Sequence, residues 1–379
     1  MKKILFSFFG GFIFVVGQAQ LTADGAYLIG DYVEIGINSN GHEGAPDLVG
    51  SHSRSSGTPE FMFGIVADPN ATDWTEYNGD YFSPGTPENG FVVFHNDTYY
   101  SSNASSLVGA DTVITSGGIT SYFETTDSIY VSWLGWADSV EVVVDYLLKK
   151  DEAKYTTRVT FTNLSTTDIS GLFYGRNLDP DNNQSIGGSY TTNNCVRKQP
   201  TVLEPYAVVN AFQELPHFSE ISFVSENDNM WRAYKGGFSN RKPNLIWTGF
   251  DATTSLTVGD TISHDEAIGL AYNLMSLNAG ESHTISFQVQ FTPVEIVGLA
   301  IDEPSENKLK VYPTITSKDL QIELEGAFTY FIITSNGEIV KEGVGRDQTQ
   351  VNIQELPNGV YFMKIKSGNI YYSEKIVKQ

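Results

Sequence analysis

The sequence predicts an all-β chain in which a large multi-stranded β-sandwich precedes a small C-terminal β-sandwich domain. Aromatic residues make up 13% of the 379 residues, and short runs alternate apolar with polar side chains. Gly, Asn, Asp and Pro bound these runs, as they do where strands end in turns. Alternation of this kind places one face of a strand in a core and the other in solvent.

The predicted strands of the large region follow one another along most of its length, and only residues 205–215 have weak helical character. Their number exceeds that of one seven-stranded sandwich. This number of strands favours either one large sandwich of stacked sheets, such as a supersandwich, or two sandwiches side by side. The strands are predicted at residues 31–37, 90–94, 128–133, 139–146, 155–161, 221–224, 267–272 and 283–291.

The N-terminus has the pattern of a secretory signal peptide. Lys2 and Lys3 precede an apolar run over residues 4–16, and small residues at 17–19 suit cleavage after Ala19. The run is too short to span a bilayer, and we expect no transmembrane segment in the remainder. The predicted organisation is a signal peptide at 1–19, a large domain at 20–296, a linker at 297–306 and a C-terminal domain at 307–379.

Charge and cysteine content limit the expected partners. The net charge is −22, whereas residues 307–379 carry nine basic and eight acidic side chains, so the acidity belongs to the large domain. A strongly acidic surface repels phosphate backbones, and nucleic acid is therefore not an expected partner. Cys195 is the only cysteine, so the chain has no intrachain disulfide.

One polar loop of the large domain is a candidate metal site. Asp179, Asp181 and Asn183 place oxygen atoms at alternate positions, as calcium-binding loops do. Gln184 stands where an EF-hand has Gly, so we predict a calcium site of another type. The alternative is an Asp-Pro turn whose side chains bond nearby amides.

A second polar loop is a candidate ligand site. Trp74, Tyr77 and Tyr81 are interleaved there with Asp, Asn and Gly. Aromatic faces beside polar groups suit stacking on sugar rings, so we predict sugar binding. The alternative is a loop that packs its own aromatic rings inward.

Two histidine-containing stretches are weaker candidates. Residues 42–52 contain two histidines and a glutamate, but their spacing matches no zinc site and turn chemistry is favoured. His264, Asp265 and Glu266 precede a strand and could build an acid/base pair, although neighbours on a strand point to opposite faces.

The C-terminal residues carry an ordered set of motifs: a Tyr-Pro turn, an Asn-Gly hairpin turn, a Leu-x-x-Gly-x-Tyr element and a Lys-rich end. In this order they resemble the type A C-terminal sorting domain of the type IX (Por) secretion system. Thr314 and Ile315 replace the Asn and second Pro of that family's opening turn. The motif residues are Tyr312, Pro313, Asn336, Gly337, Leu356, Gly359, Tyr361, Lys375 and Lys378.

The resemblance implies export across an outer membrane, with the type IX machinery as a partner and a secreted or surface-attached product. The large domain loosely resembles β-rich bacterial surface and secreted proteins, which supports its fold class only. It lacks a Gly-x-Ser-x-Gly elbow, a His-Glu-x-x-His pair and a phosphate-binding glycine loop. We therefore expect a non-catalytic adhesion or binding module without assigned catalytic residues, and a glycan or surface polysaccharide as its partner.

Two alternatives stay open for the large domain. One is a carbohydrate-active enzyme, either a glycoside hydrolase or a polysaccharide lyase, because such enzymes carry their carboxylates without a local motif. The other is a calcium-dependent sugar-binding protein, which overlaps the binding-module interpretation.

Overall fold

A computed structural model of the chain describes residues 21–22, 25–46, 62–82, 89–103, 112–238, 242–294, 309–334, 339–367 and 370–379. The described residues form two compact units. The first runs to Gln199 and resumes over Tyr206–Thr292, and the second combines Pro200–Pro205 with Pro293–Gln379. Regular structure is nearly all strand, so the prediction of an all-β fold is confirmed. The predicted signal peptide and linker fall outside the described residues.

The first unit contains short strands near its start and longer ones from β9 onward. Its strands are β1 (Gly25–Ile29), β2 (Val33–Asn38), β3 (Ala45–Pro46), β4 (Met62–Phe63), β5 (Ile65–Ala67), β6 (Asn89–His95), β7 (Thr98–Asn103), β8 (Thr112–Val113), β9 (Thr115–Glu124), β10 (Ser128–Ala137), β11 (Val140–Lys149), β12 (Lys154–Asn163), β13 (Ile169–Ser170), β14 (Phe173–Leu178), β15 (Thr192–Lys198), β16 (Val208–Gln213), β17 (Ser219–Ser225), β18 (Trp231–Gly236), β19 (Thr254–Ser255), β20 (Thr261–His264), β21 (Ala267–Asn273), β22 (Ser276–Leu277) and β23 (Ser282–Gln290).

Two large sheets dominate this unit. The nine-stranded sheet has the order β20-β15-β16-β17-β23-β12-β11-β10-β9, and the seven-stranded sheet has the order β19-β18-β21-β14-β6-β7-β8. A third sheet has the order β1-β2-β5, and β3 with β4 and β13 with β22 form two-stranded pairs. One continuous core of buried apolar side chains draws on both large sheets and on the small three-stranded one.

The burial patterns explain why the alternating runs became strands. In β11 buried and more exposed residues alternate, so one face packs in the core and the other meets solvent. By contrast, every residue of β21 is buried, because the seven-stranded sheet is covered on its outer face as well. Part of this cover is the short helix α1 (Pro243–Thr248), whose Ile246 packs with Tyr234 and Ala271.

The weak helical character assigned to residues 205–215 is wrong. This segment contains strand β16, which pairs with β15 on one side and β17 on the other. Its two consecutive valines, Val208 and Val209, are β-branched and suit a strand in the middle of a sheet better than a short helix. The described residues contain one α-helix, α1, which begins at Pro243 and ends before Gly249 at φ +73°.

The second unit is a small sandwich around its own apolar core. Its strand β26 pairs with β27 and β28, and a bulge lies between Leu324 and Ala327, at Gly326 with φ +89°. Such a bulge bends a strand, so one long strand can serve both layers. The strands are β24 (Lys310–Tyr312), β25 (Ile315–Thr316), β26 (Asp319–Thr334), β27 (Ile339–Asn352), β28 (Gly359–Ser367) and β29 (Ile370–Lys378).

Candidate functional site

Two of the polar loops singled out in the sequence lie against each other at one end of the first unit. The backbone N–H of Asp80 donates to Ser185 Oγ over 2.9 Å, and the N–H of Asp181 donates to the Tyr81 carbonyl over 3.1 Å. Gly79 is required in this contact, because a Cβ there would lie 2.5 Å from Ser185 Oγ. The segment before residue 82 and the segment after β14 are therefore one structural feature.

The turn between β16 and β17 joins these two loops. His217 Nε2 donates to Asn78 Oδ1 over 2.9 Å, and Asn183 Nδ2 donates to the His217 carbonyl over 2.7 Å. Tyr81 Oη reaches the carbonyl of Glu220 over 3.1 Å. We refer to the three segments 74–82, 179–189 and 213–218 together as the loop site.

Three carboxylates meet at the edge of the loop site. Strands β14 and β21 pair with Leu178 opposite Ile268, so the residues after β14 come close to those just before β21. Carboxylate oxygens of Asp179, Asp181 and Asp265 lie within 4.8 Å of one another. We call these three side chains the acidic cluster. Asp179 and Asp181 are 9% and 2% exposed.

The acidic cluster is electrostatically strained. The pKa of Asp181 is raised to about 9, first by burial and then by the charges of Asp179, Asp265 and Asp80. Among the residues that the structure describes, the buried Oδ1 atom of Asp181 has no hydrogen-bond donor, and neither has that of Asp265. A buried carboxylate oxygen without a donor is costly, so the cluster favours either a shared proton or a bound cation.

The structure brings together two of the three predicted metal ligands. Asp179 and Asp181 lie in the acidic cluster, whereas Asn183 uses its Nδ2 atom to hold the turn at His217. Asn183 has φ +62°, and its buried Oδ1 atom also has no donor in the described part of the chain. Asp265 supplies the third carboxylate, which sequence reasoning had treated as part of an acid/base pair. Only the pairing of β14 with β21 brings Asp265 close to Asp179 and Asp181, and this pairing cannot be read from the local sequence.

The predicted sugar-stacking residues are placed differently from one another. Trp74 and Tyr77 are partly exposed, with ring centroids 6.1 Å apart and planes at 55°. Tyr81 is fully buried and its ring packs on Phe291 with centroids 5.3 Å apart. A buried ring offers no face to a ligand, so the stacking prediction now depends on Trp74 and Tyr77.

An unusual backbone conformation presents Trp74. It has φ +58°, in the left-handed region that bulky residues rarely adopt, and Ala71 and Asp73 have positive φ as well. The Asp68 carboxylate holds this loop, because it accepts hydrogen bonds from the N–H groups of Thr72 and Trp74 over 3.1 and 2.8 Å. Strained residues held in this way are enriched at binding loops.

A groove of about 360 Å³ opens within the loop site. Leu215 at its edge is 73% exposed, and nearby Phe218 is 46% exposed and stacks on Phe212. None of the eight described lining residues is Lys or Arg. They are Gly187, Gly188, Ser189, Thr191, Asn193, Gln213, Glu214 and Leu215.

His42 and His264 do not join the loop site, although Asp265, next to His264, lies in the acidic cluster. His42 is buried, and burial lowers its pKa to about 4. Glu43 forms an ion pair with Arg176 in the core of the unit. His264 lies at the surface, with Nδ1 3.9 Å from Glu266 Oε1. His52 falls outside the described residues.

Three motif residues of the second unit are packed into its structure. Tyr361 is 5% exposed and its hydroxyl donates to the Pro357 carbonyl over 2.8 Å. Leu356 packs against the same core. Lys378 is buried and its Nζ donates to the Gln379 carbonyl over 3.0 Å. The hydroxyl of Tyr312, which precedes Pro313, donates a hydrogen bond to Glu323. Gly359 is the first residue of β28, and Lys375 is exposed. Asn336 and Gly337 lie outside the described residues.

Comparison with solved structures gives only remote similarity. A polysaccharide lyase aligns over 92% of this chain and 46% of its own, with 10% identity and a TM-score of 0.38. A variant GH36 alpha-galactosidase from Geobacillus stearothermophilus aligns over 71% and 40%, with 9% identity and a TM-score of 0.31. A galactose mutarotase-like protein from Clostridium acetobutylicum aligns over 69% and 95%, with 9% identity and a TM-score of 0.34. The chain thus spans less than half the length of the lyase, and scores this low carry no conclusion about function.

The C-terminal unit gives a definite match. No curated protein matches the chain in sequence. No helix in the described ranges has the length and apolar character needed to cross a membrane. Residues 310–379 match the family described as secretion system C-terminal sorting domain. They are therefore a type IX secretion C-terminal sorting domain, which supports export of this chain by that system to the cell surface or the extracellular space.

Proposed function

We propose that the chain is a secreted or outer-membrane surface protein whose first unit is a non-catalytic binding module for a glycan. Its signal peptide at residues 1–19 is removed during export, and its C-terminal unit engages the type IX machinery. The observation that carries the binding proposal is the groove of about 360 Å³ in the loop site, beside exposed apolar side chains.

The chemistry of the groove supports an uncharged, hydroxyl-rich ligand. Thr191, Asn193 and Gln213 offer hydroxyl and amide groups, and Leu215 offers an apolar surface. A sugar ring has hydroxyls at its rim and apolar C–H faces, so it needs both kinds of contact. The absence of Lys and Arg from the described lining, together with the acidity of the chain, disfavours an anionic polysaccharide.

The burial of Asp181, the carboxylate with the raised pKa, supports binding over catalysis. Asp181, whose pKa is raised to about 9, is 2% exposed, and it is not among the residues that line the groove. A general acid must reach the bond that it protonates to within hydrogen-bond distance. A carboxylate enclosed in this way suits a structural role better than contact with a substrate.

The binding proposal is tested with the full mature chain on an array of neutral and acidic glycans. We expect retention of neutral polysaccharide, and we expect it to be weaker in Phe218→Ala and in Trp74→Ala. Phe250→Ala is the matched control, because Phe250 is 81% exposed and lies in the first unit outside the loop site. Removal of one stacked ring weakens sugar contacts by roughly 1 kcal/mol, or about fivefold.

Two results would contradict the binding proposal. One is that no glycan is retained under any condition. The other is that Phe250→Ala weakens retention as much as the loop-site variants do. Release of shortened or unsaturated sugars from the retained polysaccharide would instead identify a carbohydrate-active enzyme.

A further inference from the structure

The acidic cluster combines residues that the fold forces together. Asp179 and Asp181 follow β14, and Asp265 precedes β21, the strand that pairs with β14. Because the ladder ends near Leu178 and Ile268, the chain on either side of it must pass through the same small region. The pairing of β14 with β21, as well as the loop itself, therefore brings the three carboxylates close together.

The contacts of the cluster are incomplete. Asp181 Oδ1 is buried and accepts no hydrogen bond from the described residues, and the side chain as a whole is 2% exposed. Like charges at this separation in a poorly hydrated site repel one another strongly. A cation among the three carboxylates would turn this repulsion into attraction and would supply the missing partner of Asp181.

The geometry selects the kind of cation. Carboxylates offer only oxygen, the ligand of hard cations, and Ca²⁺ binds oxygen at about 2.4 Å in irregular arrangements. Two oxygens on one such ion can therefore be at most about 4.8 Å apart. The observed oxygens all lie within 4.8 Å of one another. Mg²⁺ needs shorter bonds and a near-octahedral shell, which fits a site of three carboxylates from two segments less well.

We propose that Asp179, Asp181 and Asp265 form a calcium site that fastens the 179–189 segment to the start of β21. The same segment holds the β16–β17 turn through Asn183, whose Nδ2 donates to the His217 carbonyl. A calcium ion bound there stabilises one wall of the groove. This last consequence rests on the proposed function, whereas the metal site itself does not.

The site is tested on the full mature chain by adding CaCl₂ after treatment with a chelator. We expect the melting temperature of the first unit to rise with the logarithm of calcium concentration. Titration calorimetry is expected to give one site, with a dissociation constant on the order of 10⁻⁴–10⁻³ M, as in other extracellular modules. Magnesium at the same concentration is expected to give a smaller shift.

Two variants separate the metal site from a general effect on folding. Asp265→Asn is expected to weaken calcium affinity at least ~10-fold. Asp181→Asn places a neutral amide of the same shape beside the other two carboxylates, so without calcium it is expected to melt no lower than the wild type while losing the calcium response. Asp151→Asn makes the same charge change at an exposed position and is the control.

The proposal is overturned if calcium changes neither the melting temperature nor the calorimetric signal. It is also overturned if Asp151→Asn reduces the calcium response as much as Asp265→Asn does. Both measurements are made without a glycan. Failure of glycan binding would therefore leave the metal result intact, and failure of the metal site would leave the array result intact.

Discussion

Arg176 and Glu43 form an ion pair inside the core of the first unit, with Nη2 and Oε2 2.6 Å apart. Both side chains are at most 2% exposed. The Tyr155 hydroxyl donates to Glu43 Oε1 over 2.7 Å, and the guanidinium also donates to the Gly90 carbonyl over 2.8 Å. The pair links the chain before β3 to β14, β6 and β12, so it connects both large sheets.

Removing one partner of this pair is expected to be strongly destabilising. In Glu43→Gln the buried guanidinium loses its counter-charge, and we expect the free energy of unfolding to fall by about 3–5 kcal/mol. Urea titration followed by tryptophan fluorescence measures this, because all five tryptophans lie before residue 293. Glu152→Gln breaks the exposed pair with Lys149 and is expected to cost at most ~1 kcal/mol. Equal losses in the two variants would disprove the special role of the buried pair.

His42 is expected to make the stability of the first unit depend on pH. Its folded pKa of about 4 lies below the ordinary value of 6.5, because burial disfavours the charged ring. Between pH 4 and pH 6.5, the His42 ring therefore binds a proton in the unfolded chain but not in the folded chain. The free energy of unfolding is therefore expected to decrease by up to about 3 kcal/mol as the pH falls from 6.5 toward 4.

The substitution His42→Gln tests this dependence. It is expected to flatten the change in unfolding free energy between pH 4.5 and 6.5. His264→Gln is the matched control, because the His264 side chain is 67% exposed. If the two variants showed the same pH profile as the wild type, the contribution of His42 would be refuted.

Gly41 is expected to be intolerant of any side chain. It has φ +86°, and a Cβ there would overlap the indole ring of the fully buried Trp133. Gly41→Ala therefore combines backbone strain with overpacking and is expected to cost about 3 kcal/mol. Gly118 has φ +81°, and no atom of the described residues lies within 4 Å of a Cβ placed there, so Gly118→Ala is expected to cost only about 1 kcal/mol. Similar urea midpoints for the two variants would show that the ring contact is unimportant.

Much of the fold follows from local sequence patterns. The strand predicted at 139–146 is found as β11 (Val140–Lys149), and its alternating burial is what the apolar–polar alternation indicates. Helix α1 has only six residues, so its apolar side chains cannot show a repeating helical pattern. Pro243 at its start and Gly249 after its end are typical helix-start and helix-end residues. Strand pairing over long separations is not encoded locally, so the order of the sheets could not be predicted.

The candidate site was predictable in part for the same reason. Local spacing predicted Asp179, Asp181 and Asn183 as oxygen ligands, and the first two lie together in the acidic cluster. The third carboxylate of the cluster depends on the pairing of β14 with β21. Glu43 and Arg176 lie far apart in sequence, so neither could be assigned to an ion pair before the fold was known. The burial of Tyr81 likewise depends on its contact with Phe291, which is distant from it in sequence, near the C-terminal end of the first unit.

Tyr361 is expected to stabilise the sorting domain. Its ring lies in the small core, and Tyr361→Ala is expected to cost about 3–5 kcal/mol of unfolding free energy in that unit. Limited proteolysis of the full chain would then cleave the variant in its C-terminal residues sooner than the wild type. Val360→Ala is the neighbouring control, because Val360 is 43% exposed. Equal cleavage rates in the two variants would contradict this role.

The most direct test of the account is the location of a chain that lacks residues 307–379, expressed in a bacterium with an intact type IX system. The sorting domain supports export through that system. We predict that the truncated chain accumulates in the periplasm with its signal peptide removed, whereas the full chain reaches the surface or the medium. Surface or medium levels of the truncated chain equal to those of the full chain would contradict the account.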